Sequence, residues 1–322
     1  SYIKQAVKNG SQLIIIDPRK QNLSRYAIHH LQFNPGQDLA LLNAIIYTII
    51  DEGLVNKDYI KNYTDGYDLL RKQIINFDPL EMEKICGIKA DIIRKVARAY
   101  AQSKSSIIFW GMGISQHIHG TQNAFCLINL ALITGHVGKK GSGLHPLRGQ
   151  NNVQGACDMG SFPHEFPGYR HVSDLATRNL FESAWNTELY DEPGLRIPNM
   201  LDGAISGKFK SVYCEGEDIA QSDPDTKHVT HALESMECVI VQDLFLNETA
   251  MYAHVFLPGS SFLEKNGTFT NAERRISRVR KVMSPKNGYE DWEITQLLSN
   301  ALGYPMNYKH ASEIMDEVAQ LT

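Results

Sequence analysis

What most constrains the fold of this chain is the way its short apolar runs end. Ser11–Asp17 (SQLIIID) is β-branched and stops at an acid, and Ser106–Trp110 (SIIFW) stops at Gly111-Met112-Gly113. Ser211–Cys214 stops at Glu215-Gly216-Glu217-Asp218, and Cys238–Asp243 (CVIVQD) carries Gln242-Asp243 at its end. His254–Leu257 stops at Pro258-Gly259-Ser260-Ser261. Short β-branched runs with such punctuation read as buried strands. Between and after them, Leu39–Asp51, Ala90–Ser103, a stretch beginning near Gln122, Thr226–Glu237, Glu290–Leu302 and Ala311–Leu321 have helical periodicity. Strands alternating with helices predict mostly parallel sheets, with ligands lying at the carboxyl ends of the strands. A length of 322 residues suits two domains. The expected architecture is therefore α/β, two Rossmann-like αβα domains over residues 1–150 and 151–322. Seven glycines and few apolar residues between Gly135 and Gly160 predict a long polar loop where the two domains meet. Loops of that length in a compact protein usually carry function.

The polar strand ends suggest two extended, phosphorylated ligands. Glycine lets a backbone approach a phosphate, and exposed N–H groups donate to it. A carboxylate at a strand end accepts two adjacent donors, as guanine's N1–H and N2 amino group present them. Composition removes other classes. A net charge of −4 leaves no nucleic-acid footprint. No apolar run approaches the roughly 18–20 residues of a membrane helix, and no signal peptide opens the chain. The five cysteines are odd in number and never in CxxC spacing, which argues against disulfides, a zinc site or an iron–sulfur cluster in this segment and fits a reducing, cytoplasmic setting. The start at Ser1-Tyr2-Ile3-Lys4, in mid-pattern and without an initiator Met, reads as an interior piece of a longer protein.

Arg148 is the sharpest single residue, set in Leu147-Arg148-Gly149-Gln150-Asn151-Asn152-Val153-Gln154-Gly155. A guanidinium presents paired N–H donors that match a small carboxylate, and it stays charged at any working pH. The neighbouring carboxamides orient a ligand without titrating. The plainer alternative is a structural tie between Arg148 and Asp158.

At this loop the sequence resembles the catalytic subunit of formate dehydrogenases, of the molybdopterin oxidoreductase (dimethyl sulfoxide reductase) superfamily. The resemblance rests on Gly111-Met112-Gly113-Ile114-Ser115-Gln116, Leu127–Gly135, and Leu147–Gly160 with its RGQNNVQG stretch. It extends to Ile16-Asp17-Pro18-Arg19, Gly216-Glu217-Asp218, Val241-Gln242-Asp243 and Glu290-Asp291-Trp292. It implies a four-domain enzyme with two molybdopterin guanine dinucleotides around one Mo or W atom and a 4Fe-4S cluster in a region N-terminal to this segment. It also implies oxidation of formate to CO2, and electron-transfer subunits as partners beside the remaining domains of the same chain. Carried over by motif, Arg148 holds the formate carboxylate. Asp17 and Arg19 contact one dinucleotide, with Met112, Gly113, Gln116 and Gln150 by the pterins and the substrate. Gly216, Glu217, Asp218, Ser222, Gln242, Asp243, Ser260 and Asp291 line the site of the other. The family's metal-ligating cysteine or selenocysteine, followed by histidine, has no counterpart, so no residue here is expected to bind the metal. The rival expectations are another enzyme of the superfamily, such as a nitrate reductase, and a non-catalytic scaffold that keeps the fold.

His117 and His119, at i and i+2, share no helix face and are weak metal candidates. His145 beside the Arg148 stretch either tunes the site or packs. Arg274-Arg275, Arg278 and Arg280-Lys281 read as a solvated strand face.

Overall fold

The structure, a computed structural model, describes residues 2–322. It is a mixed α/β fold with small, mostly parallel sheets, divided into two compact units, Ser1–Gly149 and Gln150–Thr322.

In the first unit, β1 (Ile14–Ile16) pairs in parallel with β2 (His29–Leu31). Likewise β3 (Ile107–Trp110) pairs in parallel with β4 (Gly143–Pro146), with Ile107 opposite Gly143 and Trp110 opposite Pro146. The core is helical. Helix Asp38–Asp51 is apolar almost all round and buries Leu41, Leu42, Ile45, Ile46 and Ile49, as a helix surrounded by others must. It packs against helices Pro79–Cys86, Ala90–Ala101 and Gly120–Thr134. Ala90–Ala101 buries Ala90, Ile93, Val96 and Ala97, one stripe at helical spacing. Its outer face is tied down by Arg98, whose Nε and Nη2 donate to the Glu52 carboxylate at 2.6 and 2.8 Å.

In the second unit, β5 (Glu165–Phe166) and β6 (Arg170–His171) form a small antiparallel ribbon. The main sheet runs β7 (Ser211–Glu215), β8 (Cys238–Asp243) and β9 (Val255–Pro258), all parallel, with β8 central. Val239 and Val241 of β8 are fully buried against Val229, Ala232 and Leu233 of helix Thr226–Glu234. A second antiparallel ribbon joins β10 (Gly267–Thr270) to β11 (Ile276–Val279). Its basic run is solvent-exposed from Arg274 through Arg278 and again at Arg280 and Lys281, and Lys281 pairs with Glu290 at 2.8 Å.

Two expectations need correction. The Gly135–Gly160 stretch is not a structureless loop, because it contains β4 and the short helix Val153–Asp158. None of Gly143, Leu144, His145 and Pro146 is a strong strand former; pairing with β3 makes the strand, not propensity. Gly111-Met112-Gly113 is likewise more than a turn, since Met112–Ser115 closes one helical turn.

Candidate functional site

In the first unit the predicted residues collect at the carboxyl ends of the strands. At the end of β1 the half-buried Asp17 accepts from Arg19 N–H at 2.7 Å and from Gln21 Nε2 at 2.9 Å, so its carboxylate closes the turn that presents Arg19 to solvent. The ladder of β3 and β4 runs one step past β4, where Leu147 N–H donates to Trp110 O at 2.7 Å. Arg148 follows at once. Met112, from the turn after β3, comes so close that a Cβ on Gly149 would lie 3.8 Å from its sulfur and terminal methyl. The peptide carrying Arg148 is thus bracketed on both sides by the end of β3. Arg148 is exposed and, among the described residues, makes no ion pair within its unit. Gly111 and Gly113 face open space where a side chain would stand. The His145 ring packs edge-on against Phe109, 5.3 Å between centroids.

His117 Nε2 lies 3.8 Å from the buried Asp38 carboxylate. Burial raises the Asp38 pKa, while its backbone hydrogen bond and His117 oppose the rise. Among the described residues no group of three or more His, Cys, Asp or Glu gathers as a metal site. Burial pushes the thiols of Cys126 and Cys214 up to about 11, so both are protonated at neutral pH.

In the second unit the site is organised by Gln242, only 1% exposed at the end of β8. Its Oε1 accepts from Tyr213 OH, and its Nε2 donates to Glu215 Oε1 at 3.2 Å and Asp291 Oδ1 at 3.0 Å. Asp291 begins helix Asp291–Ala301 and exchanges hydrogen bonds with Ser260, taking its N–H at 3.0 Å and donating its own N–H to Ser260 Oγ at 3.1 Å. Lys265 pairs with its other oxygen. Burial works against the Asp291 carboxylate. The Lys265 ammonium, the Ser260 amide and Gln242 outweigh it and hold the acid below the usual range. Glu215 behaves oppositely. It is exposed at one edge yet hemmed in, and loss of hydration, then the nearby Asp291 charge, pushes it up. Gly216, at φ +65, opens onto free space. Ser222 Oγ donates to Glu217 at 2.6 Å, and Asp218 takes Thr249 N–H at 2.9 Å and its hydroxyl at 2.7 Å. Asp243 closes its own turn through Leu244 and Phe245 N–H and the Asn247 amide.

Such strand ends, bare at glycine and dense in donors and acceptors, suit a phosphorylated cofactor, and comparison with known proteins names its class. The molybdopterin oxidoreductase family matches residues 1–301. The chain belongs to that family. It is 44% identical, over 99% of its length, to the "F420-dependent formate dehydrogenase subunit alpha" of Methanocaldococcus jannaschii, of which it covers 48%. It is 41% identical over its whole length to "Formate dehydrogenase H" of Escherichia coli, covering 45% of that protein. The chain thus spans about half the length of the curated relatives it matches. Its fold is shared with acetylene hydratase from Pelobacter acetylenicus at a TM-score of 0.72, over 94% of this chain and 44% of that one, at 20% identity.

Some predicted site residues are engaged inside the fold. Gln154 Nε2 and Tyr169 OH both donate to Asp158 Oδ1 at 2.8 Å, so that carboxylate already has its partners in the second unit. Asn152 Oδ1 accepts from Thr270 N–H at 2.9 Å. Gln150, Met112, Gly113 and Gln116 stay exposed. Tyr213 and Lys265 were not singled out from sequence, and Glu215 only as part of a polar strand end. No local signal marks the first two, because their partners lie 29 and 26 residues away.

Proposed function

We propose that this chain is the part of a formate dehydrogenase catalytic subunit that supplies the substrate arginine and cradles two molybdopterin guanine dinucleotides, one on each unit. The observation that carries the substrate assignment is Arg148. It is exposed, without an acid partner in its unit, and held at the joint end of β3 and β4 beside the open glycines Gly111 and Gly113.

The residues fit the cofactor. Arg19, Met112, Gly113 and Gln116 would hold one dinucleotide, and the open Gly216 with Glu217, Ser222, Gln242 and Ser260 the other. When bound around Mo or W, the cofactor supplies the two-electron chemistry by which formate becomes CO2, a proton and two electrons. The protein's share is placement. Two guanidinium N–H groups of Arg148 pair with the two formate oxygens and cancel their charge, which fixes the direction of the C–H bond. The pairing uses N–H donors alone, so Arg148 orients the substrate and moves no proton. CO2 is neutral and no longer matches the fork, so the same contact that binds substrate releases product.

The test is full-length Arg148→Ala. Losing a bidentate, charge-assisted pair worth about 3 kcal/mol lowers kcat/KM for formate by about 100-fold or more. Guanine-nucleotide and metal content should stay at the wild-type level, because Arg148 is exposed and ties nothing together in its unit. Arg148→Lys should fall between, having charge without the fork. Unchanged formate kinetics in Arg148→Ala would refute the assignment.

A further inference from the structure

A buried histidine sits at the opposite end of the β3–β4 ladder from Arg148. His136 is only 1% exposed. Its N–H donates to Ala131 O at 2.8 Å, at the end of helix Gly120–Thr134. The Tyr100 ring meets its imidazole edge-on, 5.0 Å between centroids. Its Nε2 lies 3.2 Å from Tyr100 O. A carbonyl only accepts, so the proton of the neutral ring is on Nε2. Nδ1 then carries a lone pair, buried and without a partner among the described residues. Ser103 links this contact to the ladder. Its hydroxyl shares the Tyr100 carbonyl at 2.8 Å and meets Ser106 Oγ at 2.6 Å. Ser106, just before β3, donates its N–H to Ser142 Oγ at 3.2 Å and accepts Gly143 N–H at 3.1 Å. These bonds start the ladder whose last rung, Leu147 N–H on Trp110 O, precedes Arg148.

We propose that the neutral His136 ring is a positioning residue for Arg148, and that a second proton on the ring in acid frees residues 135–143 and unseats the arginine. The inference rests on Arg148 as the substrate residue. A second proton would put an N–H on Nδ1 with nothing to receive it, inside the fold, and a buried unmet donor is costly. Unlike His117, His164 and His228, His136 has no carboxylate partner among the described residues. The titratable groups that bear on it are Tyr100, from helix Ala90–Ala101, and Lys139, from the connection itself. Burial holds the His136 pKa below the usual histidine value; the Tyr100 carbonyl opposes this and the Lys139 charge adds to it. Burial pushes the Tyr100 phenol up to about 12, so it stays neutral. A histidine held low contributes stability that is complete above its unfolded pKa, about 6.5, and is lost as pH falls beneath it. The connection has room to move, since Gly138 stands at φ +74 with nothing within 4 Å of an added Cβ. Formate oxidation releases a proton with its two electrons. Accumulating acid would therefore slow the reaction that makes it, and the ring would reset as pH recovers.

The experiment uses the full-length protein and two readouts, amide exchange and formate kinetics. In the wild type, exchange in residues 143–147, corrected for its intrinsic pH dependence, should quicken about tenfold or more from pH 7 to pH 5. His136→Gln can donate to Tyr100 O but cannot titrate. It should lose most of that acceleration, and its ratio of kcat/KM at pH 5 to that at pH 7 should exceed the wild-type ratio about fivefold or more. His136→Ala removes the pin at every pH, so KM for formate at pH 7 should rise about tenfold, with kcat less affected and guanine-nucleotide content kept. His136→Gln should bring that KM back toward wild type, and His136→Leu, which fills the space without a donor, should not. Circular dichroism reports folding, and if His136→Gln does not fold the wild-type exchange series decides alone. Equal protection of residues 143–147 at pH 5 and pH 7, or an acid loss of kcat/KM undiminished in folded His136→Gln, would overturn this inference and leave Arg148 as the substrate residue. Unchanged formate kinetics in Arg148→Ala would overturn that assignment and this inference with it.

Discussion

Asp291 shows how much of one residue's role depends on partners far away in sequence. Its carboxylate meets Gln242, 49 residues earlier, Ser260, 31 earlier, and Lys265, 26 earlier. These contacts hold its pKa below the ordinary value. A depressed acid contributes stability that is present above its unfolded pKa, about 4, and is lost as pH falls through the lower folded pKa. Asp291→Asn keeps an acceptor for Ser260 and Gln242 but turns an amide toward the Lys265 ammonium. We expect it to cost roughly 1–3 kcal/mol near neutral pH. The gap from wild type should narrow as pH drops below about 4. Urea unfolding of both proteins at a series of pH values measures it, and a gap that widens in acid would contradict the pairing. Sequence alone marked Gln242 and Ser260 as strand-end polar residues, and Asp291 entered only through the family resemblance. It did not mark which of them are spent inside the fold, because saturation depends on a three-dimensional count of donors.

At the scale of elements, the stretch between Gly135 and Gly160 repays closer attention. Its glycines are legible, and so is the polar character that separates it from the helices on either side. The strand within it is not, since β4 exists only because β3 lies beside it. The two glycines that bound the stretch have different duties. Gly135 caps helix Gly120–Thr134 at φ +67, and a Cβ there would sit 2.7 Å from Asn56 Nδ2, the end of a side chain that caps helix Lys57–Tyr63. Gly160 stands at φ +84 with backbone atoms of Phe166 and Pro167 at 2.7 Å from the same imagined atom. A side-chain amide can shift; a backbone cannot without moving the β5–β6 ribbon. Left-handed backbone strain adds about 1 kcal/mol in either case. Gly135→Ala should therefore cost about 1–2 kcal/mol, and Gly160→Ala at least 3 kcal/mol. Thermal unfolding monitored in the full-length variants ranks them, and the reverse order would show that the ribbon yields more easily than the Asn56 cap.

For the molecule as a whole, the two units repeat one physical arrangement. Each has a parallel sheet backed by a helical core, and each ends its strands in open glycine flanked by polar side chains. Alternating strand and helix signals made the fold class and the polar strand ends readable. The small size of the sheets was not readable, because strand number follows from pairing rather than from any one run. If each unit carries one dinucleotide, ligand binding should stabilise both sets of strand ends by mass action. Backbone amides in short, exposed segments open at little cost when nothing lies on them. Removing the cofactor from the full-length protein should therefore speed hydrogen exchange in two separate places, Gly111–Gln116 after β3 and Gly216–Ser222 after β7. The buried centre of β8, around Val239 and Val241, should keep its protection, since its contacts are with helix Thr226–Glu234 and not with ligand. Exchange mass spectrometry on loaded and stripped protein distinguishes the cases. Acceleration in both segments is the expected result. Acceleration in one alone would mean that a single unit holds the cofactor, and the second cradle would then need another occupant.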